Sequence, residues 1–257
     1  MPPPFEIRQH DPWLDVVFPA PQRMLSWALV NGGYTLAREV CWLQVSNADL
    51  PPDCDPVALL QDKLQERDLG DAVGLMTSRQ VRYHHIATEP EGEVQVSAVM
   101  TLGLSNALSV KGETTAPLID PPAAGTINLL CHVSLPLNDQ ALLEASSIAT
   151  QARTAALLEF NWIAPGQKHP TTGTGTDCIV ISCPTLSPAT TSSSSAESFA
   201  GLHTDCGKAI GKAVYNVTRE AALTWFRQKN IPLKGQKLPP AKTGSSVQTL
   251  VSKPPPL

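Results

Sequence analysis

The densest run of chemically capable side chains in the 257-residue chain is Thr171-Thr172-Gly173-Thr174-Gly175-Thr176-Asp177, which leads straight into the apolar stretch Cys178-Ile179-Val180-Ile181. Glycines alternating with hydroxyl residues expose backbone N–H groups, and Asp177 adds a carboxylate able to orient water or to bind a hydroxyl or an amine. Neither Gly-x-Gly-x-x-Gly nor the Gly-x4-Gly-Lys-Ser/Thr loop is present, which argues against a phosphate cradle. The competing reading of the run is an ordered turn with threonine back-bonds. Three further segments concentrate donors and acceptors. Asn31-Gly32-Gly33-Tyr34 reads equally as a ligand loop or a plain hairpin turn, and Gly125-Thr126-Ile127-Asn128 as a polar strand entry. His203-Thr204 falls at the start of the last helix, where free N–H groups favour nearby negative charge. The remaining histidines are less suggestive: His84 and His85 are adjacent, so they point apart on a strand, His132 lies within an apolar strand, and His10 and His169 sit in loops. With no His-Glu-x-x-His spacing, an intrinsic metal site is not expected.

Positioning these groups requires a sheet and helices. Residues 24–30, 40–45, 94–102, 125–133 and 178–182 are rich in Val, Ile, Leu or Trp and bounded by turn residues, which predicts strands. Helical spacing predicts helices over 56–67, with Pro56 in the first turn, over 139–160, capped by Asn138, and over 205–229, capped by Thr204. The helix over 139–160 has a narrow, alanine-rich face suited to close packing on a sheet. Strands and helices mix along the chain, so the class is α/β. A Ser/Thr-rich surface loop is expected at 185–198 and a flexible Pro/Lys/Ser-rich tail at 234–257, leaving residues 1–233 as a single domain.

Composition limits the functions available. Hydrophobic residues make up 42% of the chain and charged residues 16%, enough apolar material for a sizeable core. The formal net charge of −4 provides no basic field, so nucleic acid is not an expected partner. No run of about 18 apolar residues occurs and the first residues lack the pattern of an export signal, so a soluble, cytoplasmic protein without membrane association is expected. The six cysteines form no Cys-x-x-Cys pair and read as reduced, mostly buried thiols.

Taken in order, the motifs resemble the CbiZ-type adenosylcobinamide amidohydrolases of corrinoid salvage. The resemblance is carried by Leu25-Ser26 to Asn31-Gly32-Gly33, Val73-Gly74-Leu75-Met76-Thr77, Thr101-Leu102-Gly103 with Asn106-Ala107, and Gly125-Thr126-Ile127-Asn128. It continues through Ala152, Thr154 and Ala155 of the long helix, Thr172 to Asp177, and His203-Thr204 with Gly207, Ile210, Gly211 and Ala213. It implies hydrolysis of the amide joining the aminopropanol arm of adenosylcobinamide to the corrin ring, giving adenosylcobyric acid and aminopropanol. Cobalt would then arrive with the substrate and no cofactor would be intrinsic, although a divalent ion loosely held by Asp177 and His203 is compatible with the sequence. Such chemistry needs an attacking group, donors for an oxyanion and a proton for the leaving amine. On residue type, Asp177 is the expected base, His203 the proton donor, and the backbone of residues 173–176 (Gly173, Thr174, Gly175, Thr176) the oxyanion site. Asn31, Asn106 and Asn128, with Gly33 and Thr126, are expected to meet a corrin rimmed by amides. The run from Gly125 to Asp177 is also similar to the β-peptidyl aminopeptidases, which are αββα sandwiches; that similarity implies a layered sandwich with largely antiparallel sheets and makes Thr77 or Thr126 a covalent nucleophile.

One departure bears on mechanism. Where the family pattern reads Glu-Ala-Lys in the long helix, this chain has Gln151-Ala152-Arg153, keeping a positive charge and losing a carboxylate. That loss makes a corrinoid-binding or carrier protein without hydrolytic activity the alternative function, and an α/β domain for an unrelated small molecule a third. A homo-oligomer is compatible with the sequence.

Overall fold

The strands follow from apolar side chains alternating between two sides of one sheet. The computed structural model describes residues 2–112, 125–186 and 196–233. In chain order the elements are β1 (Glu6–His10), β2 (Trp13–Ser26), β3 (Gly33–Gln44), α1 (Pro56–Gln65), β4 (Val73–Thr77), β5 (His85–Glu91), β6 (Val94–Leu102), β7 (Ala107–Leu108), β8 (Ile127–Val133), α2 (Asp139–Leu158), β9 (Gly173–Thr174), β10 (Cys178–Pro184) and α3 (Asp205–Gln228). Eight strands form one mixed sheet in the order β4-β3-β2-β10-β8-β6-β5, with β1 paired to β2; β7 and β9 make a separate small pair. Among the described strands only β3 with β4 and β8 with β10 run parallel, so the sheet is largely antiparallel, as expected.

The sheet curls until its inner face packs on itself. Phe18, Met24, Val40, Trp42, Leu75, Ile86, Val99, Leu130 and Val180 share one buried cluster that joins both halves. Ala98, Met100, Leu129, Cys131, Ile179 and Ile181 alternate with them and pack against α2 and α3. On the other flank Leu60 and Leu64 of α1 cover Cys41 and Leu43. The result is the layered α/β sandwich that the sequence implied. Its helices start where their caps dictate: Asp55 accepts from Val57 N ahead of Pro56, Asn138 from Ala141 N, and Thr204 from Gly207 N.

Some expectations need correction. The strand expected over 24–30 belongs to a longer β2 that stops at Ser26, leaving 27–32 as a loop. β1 escapes a pattern search because its five residues, Glu-Ile-Arg-Gln-His, alternate only between exposed and half-buried positions. Most of the expected 185–198 loop and the 234–257 tail lie outside the described residues.

Candidate active site

Four stretches of chain converge at the end of the sheet where parallel β8 and β10 begin and β4 and β6 end: 77–79, 103–108, 125–128 and 173–178. The β7–β9 pair, with Ala107 opposite Thr174 and Leu108 opposite Gly173, fastens the glycine-rich run to the loop after β6. Asp177 closes the arrangement from inside. Its Oδ1 accepts from Ile127 N at 3.2 Å and from the Thr174 hydroxyl, and its Oδ2 accepts from Arg153 Nη1 at 2.8 Å and Thr174 N at 3.0 Å. Gly173 is required for this approach, because a Cβ there would collide with Asp177 Oδ2. A carboxylate offers about four lone-pair positions, and all are engaged. The expectation that Asp177 acts as a free base therefore does not hold, since a base needs an unoccupied lone pair facing the substrate.

Above this frame lies a cleft of about 590 Å³. Trp27, Leu29, Val45, Leu50, Leu75 and Met76 give it an apolar wall, while Thr77, Asn106, Thr126, Asn128 and Thr176 supply hydroxyls and amides. Trp27 is 52% exposed, and its indole donates to the Asp177 carbonyl at 2.6 Å, holding the ring at the rim. Thr77 is buried, at 1% exposure, with Oγ1 accepting from Arg79 N at 3.0 Å. The Thr126 hydroxyl instead donates to the Thr176 carbonyl at 2.7 Å. Asn128 Nδ2 donates to Met76 O at 2.8 Å and ties β8 to β4 across the cleft floor. Gly125 lies so close to the loop after β6 that a Cβ would sit 2.7 Å from Asn106 N and 2.8 Å from Ser105 N. Burial pushes the Cys178 thiol up to about 12, so it stays protonated and is a poor nucleophile.

Three sequence-derived candidates lie elsewhere. Asn31 adopts a left-handed φ of 54° and donates to Gly70 O and Ala72 O, both at 2.8 Å; Gly33 has φ 81° where β3 begins. Neither lines the cleft, and both shape the loop that presents Trp27 and Leu29 to it. His203 is exposed at the opposite end of the molecule. Its neighbour Gly201 packs on Glu144 early in α2, whereas Asp177 pairs with Arg153 further along the same helix. Nine residues of helix separate those two positions by about 13 Å, so Asp177 and His203 cannot share a proton or an ion. Among the described residues no group of three His, Cys, Asp or Glu side chains is placed to hold a metal. Two cleft-shaping residues were not singled out as site residues from the sequence. Arg153 left one signal, the positive charge kept in the helix motif; Trp27, beside the Asn-Gly turn, left none. Gln151 is exposed and donates to Ser147 Oγ, so the carboxylate missing there would not have reached the cleft.

A family model described as adenosylcobinamide amidohydrolase matches residues 3–230. The chain belongs to that family. An adenosylcobinamide amidohydrolase from Methanosarcina mazei is 26% identical over 190 residues, covering 72% of this chain and 82% of that protein. Among solved structures, the PH0078 protein from Pyrococcus horikoshii is similar with TM-score 0.43 and 11% identity, over 82% of this chain and 77% of the other. The L-aminopeptidase D-Ala-esterase/amidase from Ochrobactrum anthropi aligns with TM-score 0.41 and 10% identity, over 85% of this chain and 82% of that one. Adenosylcobinamide amidohydrolases are hydrolases, so the chemistry asked of this cleft is cleavage of an amide bond.

Proposed function

We propose that the cleft beneath Trp27 hydrolyses the amide linking aminopropanol to the corrin ring of adenosylcobinamide, with Thr77 as the attacking group. The observation that carries this reading is an apolar wall set against a floor of hydroxyls and amides, which suits a broad apolar ring rimmed by amides, and it lies in a chain of the amidohydrolase family. Among the described residues Asp177 is the only charged one lining the cleft, and Arg153 neutralises it, so recognition there is by shape and neutral hydrogen bonds. A carrier role is not favoured, since family and named relative both point to hydrolysis.

Thr77 is preferred over Thr126 because of where each hydroxyl proton goes. Thr126 commits its proton to Thr176 O, whereas Thr77 Oγ1 accepts from Arg79 N, a donor that also stabilises negative charge developing on that oxygen. Thr77 Oγ1 adds to the amide carbon, and the oxyanion is met by donors of the Ser105–Asn106 loop and the Asn106 amide. The C–N bond breaks, the proton lost by Thr77 ends on the departing amine, and water splits the resulting ester to give the corrin carboxylic acid and regenerate Thr77. The six cysteines are all free thiols, which supports a reducing, cytoplasmic setting.

The test is Thr77→Ala and Thr77→Ser with adenosylcobinamide. Alanine should lower kcat by roughly a thousandfold or more while serine retains measurable turnover, and mass spectrometry of quenched wild-type reactions should find the corrinoid acyl group on the peptide containing Thr77. Turnover near normal in folded Thr77→Ala would remove Thr77 from the mechanism.

A further inference from the structure

Beside the cleft, sharing Ser78 with it, lies a second pocket of about 510 Å³. Arg79 and Lys229 line it together with Gln80, Tyr83, Ser105 and Gln228, and no acidic residue among the described residues does. This is notable in a chain of net charge −4. The Arg79 guanidinium is its centre. Nε and Nη2, the two nitrogens on one edge of the guanidinium, are both buried and have no hydrogen-bond partner among the described residues. Tyr83 contacts only the face of the group, with Arg79 Cζ 4.7 Å from the ring centroid. The C-terminal end of α3, at Trp225, Gln228 and Lys229, contributes the partial negative charge of a helix terminus but no acceptor to that edge. His85 lies close enough to feel the arginine's charge, and both its ring nitrogens are buried and unpartnered.

Arg79 is half-buried, and leaving one edge of its guanidinium closed off from water without a partner is costly, because desolvation is repaid only by an opposite charge or by acceptors. Burial is strong enough here to pull Arg79 down to about 10. The unpartnered pair is also the one whose parallel N–H bonds match two oxygens of a carboxylate or phosphate. We propose that this pocket is an oxyanion site, in which the Arg79 side chain turns to bring its unpartnered Nε and Nη2 edge to the pocket and grips a carboxylate or phosphate group side-on, while Lys229 supplies a second positive charge at the mouth. A single guanidinium edge reads the planar O–X–O unit that both groups share.

The site is tested by calorimetric titration of the full chain with inorganic phosphate and, separately, with acetate, using chloride at equal ionic strength as the blank, together with thermal unfolding in each. The expected result is one binding event per chain for phosphate or acetate, a matching rise in Tm, and loss of both in Arg79→Met. Phosphate alone binding would assign the site to phosphate groups, and acetate binding would extend it to carboxylates; either supports the proposal. If Arg79→Met does not fold, Lys229→Gln, at an exposed position, should weaken binding threefold or more. Absence of binding by both anions would overturn the proposal, as would binding that survives Arg79→Met or, should that variant not fold, is unchanged by Lys229→Gln. Hydrolysis of adenosylcobinamide is scored separately in phosphate-free buffer, so failure of the anion site leaves the proposed amidohydrolase reading standing.

Discussion

Arg153 Nη1 and Asp177 Oδ2 lie 2.8 Å apart, both side chains about nine-tenths buried, and this pair joins the later part of α2 to the loop that floors the cleft. Removing one partner of a buried ion pair strands the other. Asp177→Asn should therefore destabilise the fold by about 3–5 kcal/mol, measured by urea unfolding, and activity should fall as the 173–177 loop loosens. Arg153→Gln should cost a similar amount, and a double-mutant cycle should show the two coupled. A stable but inactive Asp177→Asn protein would contradict this anchoring role and restore the carboxylate as a direct participant in the chemistry.

His203 gives the opposite expectation. It is exposed, and the cap of α3 belongs to Thr204, whose Oγ1 accepts from Gly207 N at 3.0 Å. His203→Gln should leave kcat/KM within about twofold of wild type, as for an ordinary surface change. Thr204→Ala should cost about 1 kcal/mol of stability with no specific loss of catalysis. A large drop in kcat for His203→Gln would show that this end of the molecule takes part in turnover.

The fold was legible because its signals are local. Asn138, Thr204 and Pro56 are cap or first-turn residues whose effect depends on the next three or four positions, and β6, β8 and β10 announce themselves as apolar runs. The site was legible only in part. Gly175, Thr176 and Asp177 of the glycine-rich run line one cleft with Thr126, Asn128 and Asn106, while Thr172, Gly173 and Thr174 lie behind them. What each side chain does there depends on partners far off in sequence, such as Arg153 for Asp177 and Met76 for Asn128, and no spacing rule reports such contacts. His203 was misleading for the same reason: a histidine at a helix start reads alike whether that start faces the cleft or the far end of the sheet.

Burial also makes stability depend on pH. His132, packed against Phe18 with ring centroids 4.9 Å apart, is held down at about 4 by desolvation. Between about 4 and the unfolded value near 6.5 the unfolded chain binds a proton that the folded chain does not, so folding stability is full above this window and falls as the pH is lowered through it. The contribution of His132 is about 1.4 kcal/mol per pH unit. His132→Asn should flatten the dependence of urea-unfolding stability on pH between 6.5 and 4 by that amount, even if its stability at pH 7 is lower. An unchanged slope would mean that His132 is already protonated in the fold.

The rim of the cleft separates shape recognition from charge recognition. Trp27 exposes half its surface over the opening, and the single charged residue lining the cleft among the described residues, Asp177, is neutralised by Arg153. An apolar ring laid on the indole would bury aromatic area worth about 1.5–3 kcal/mol, so Trp27→Ala should weaken adenosylcobinamide binding by roughly ten- to a hundredfold while kcat at saturation changes little. Some stability should be lost as well, since about half of that side chain is packed in the free protein and its indole donates to Asp177 O. Because no net charge among the described residues faces the ligand, affinity measured by equilibrium titration should be nearly the same at low and high ionic strength. A steep fall in affinity with added salt would show that charged groups outside the cleft hold the substrate, and an undiminished affinity in Trp27→Ala would move the ring away from this wall.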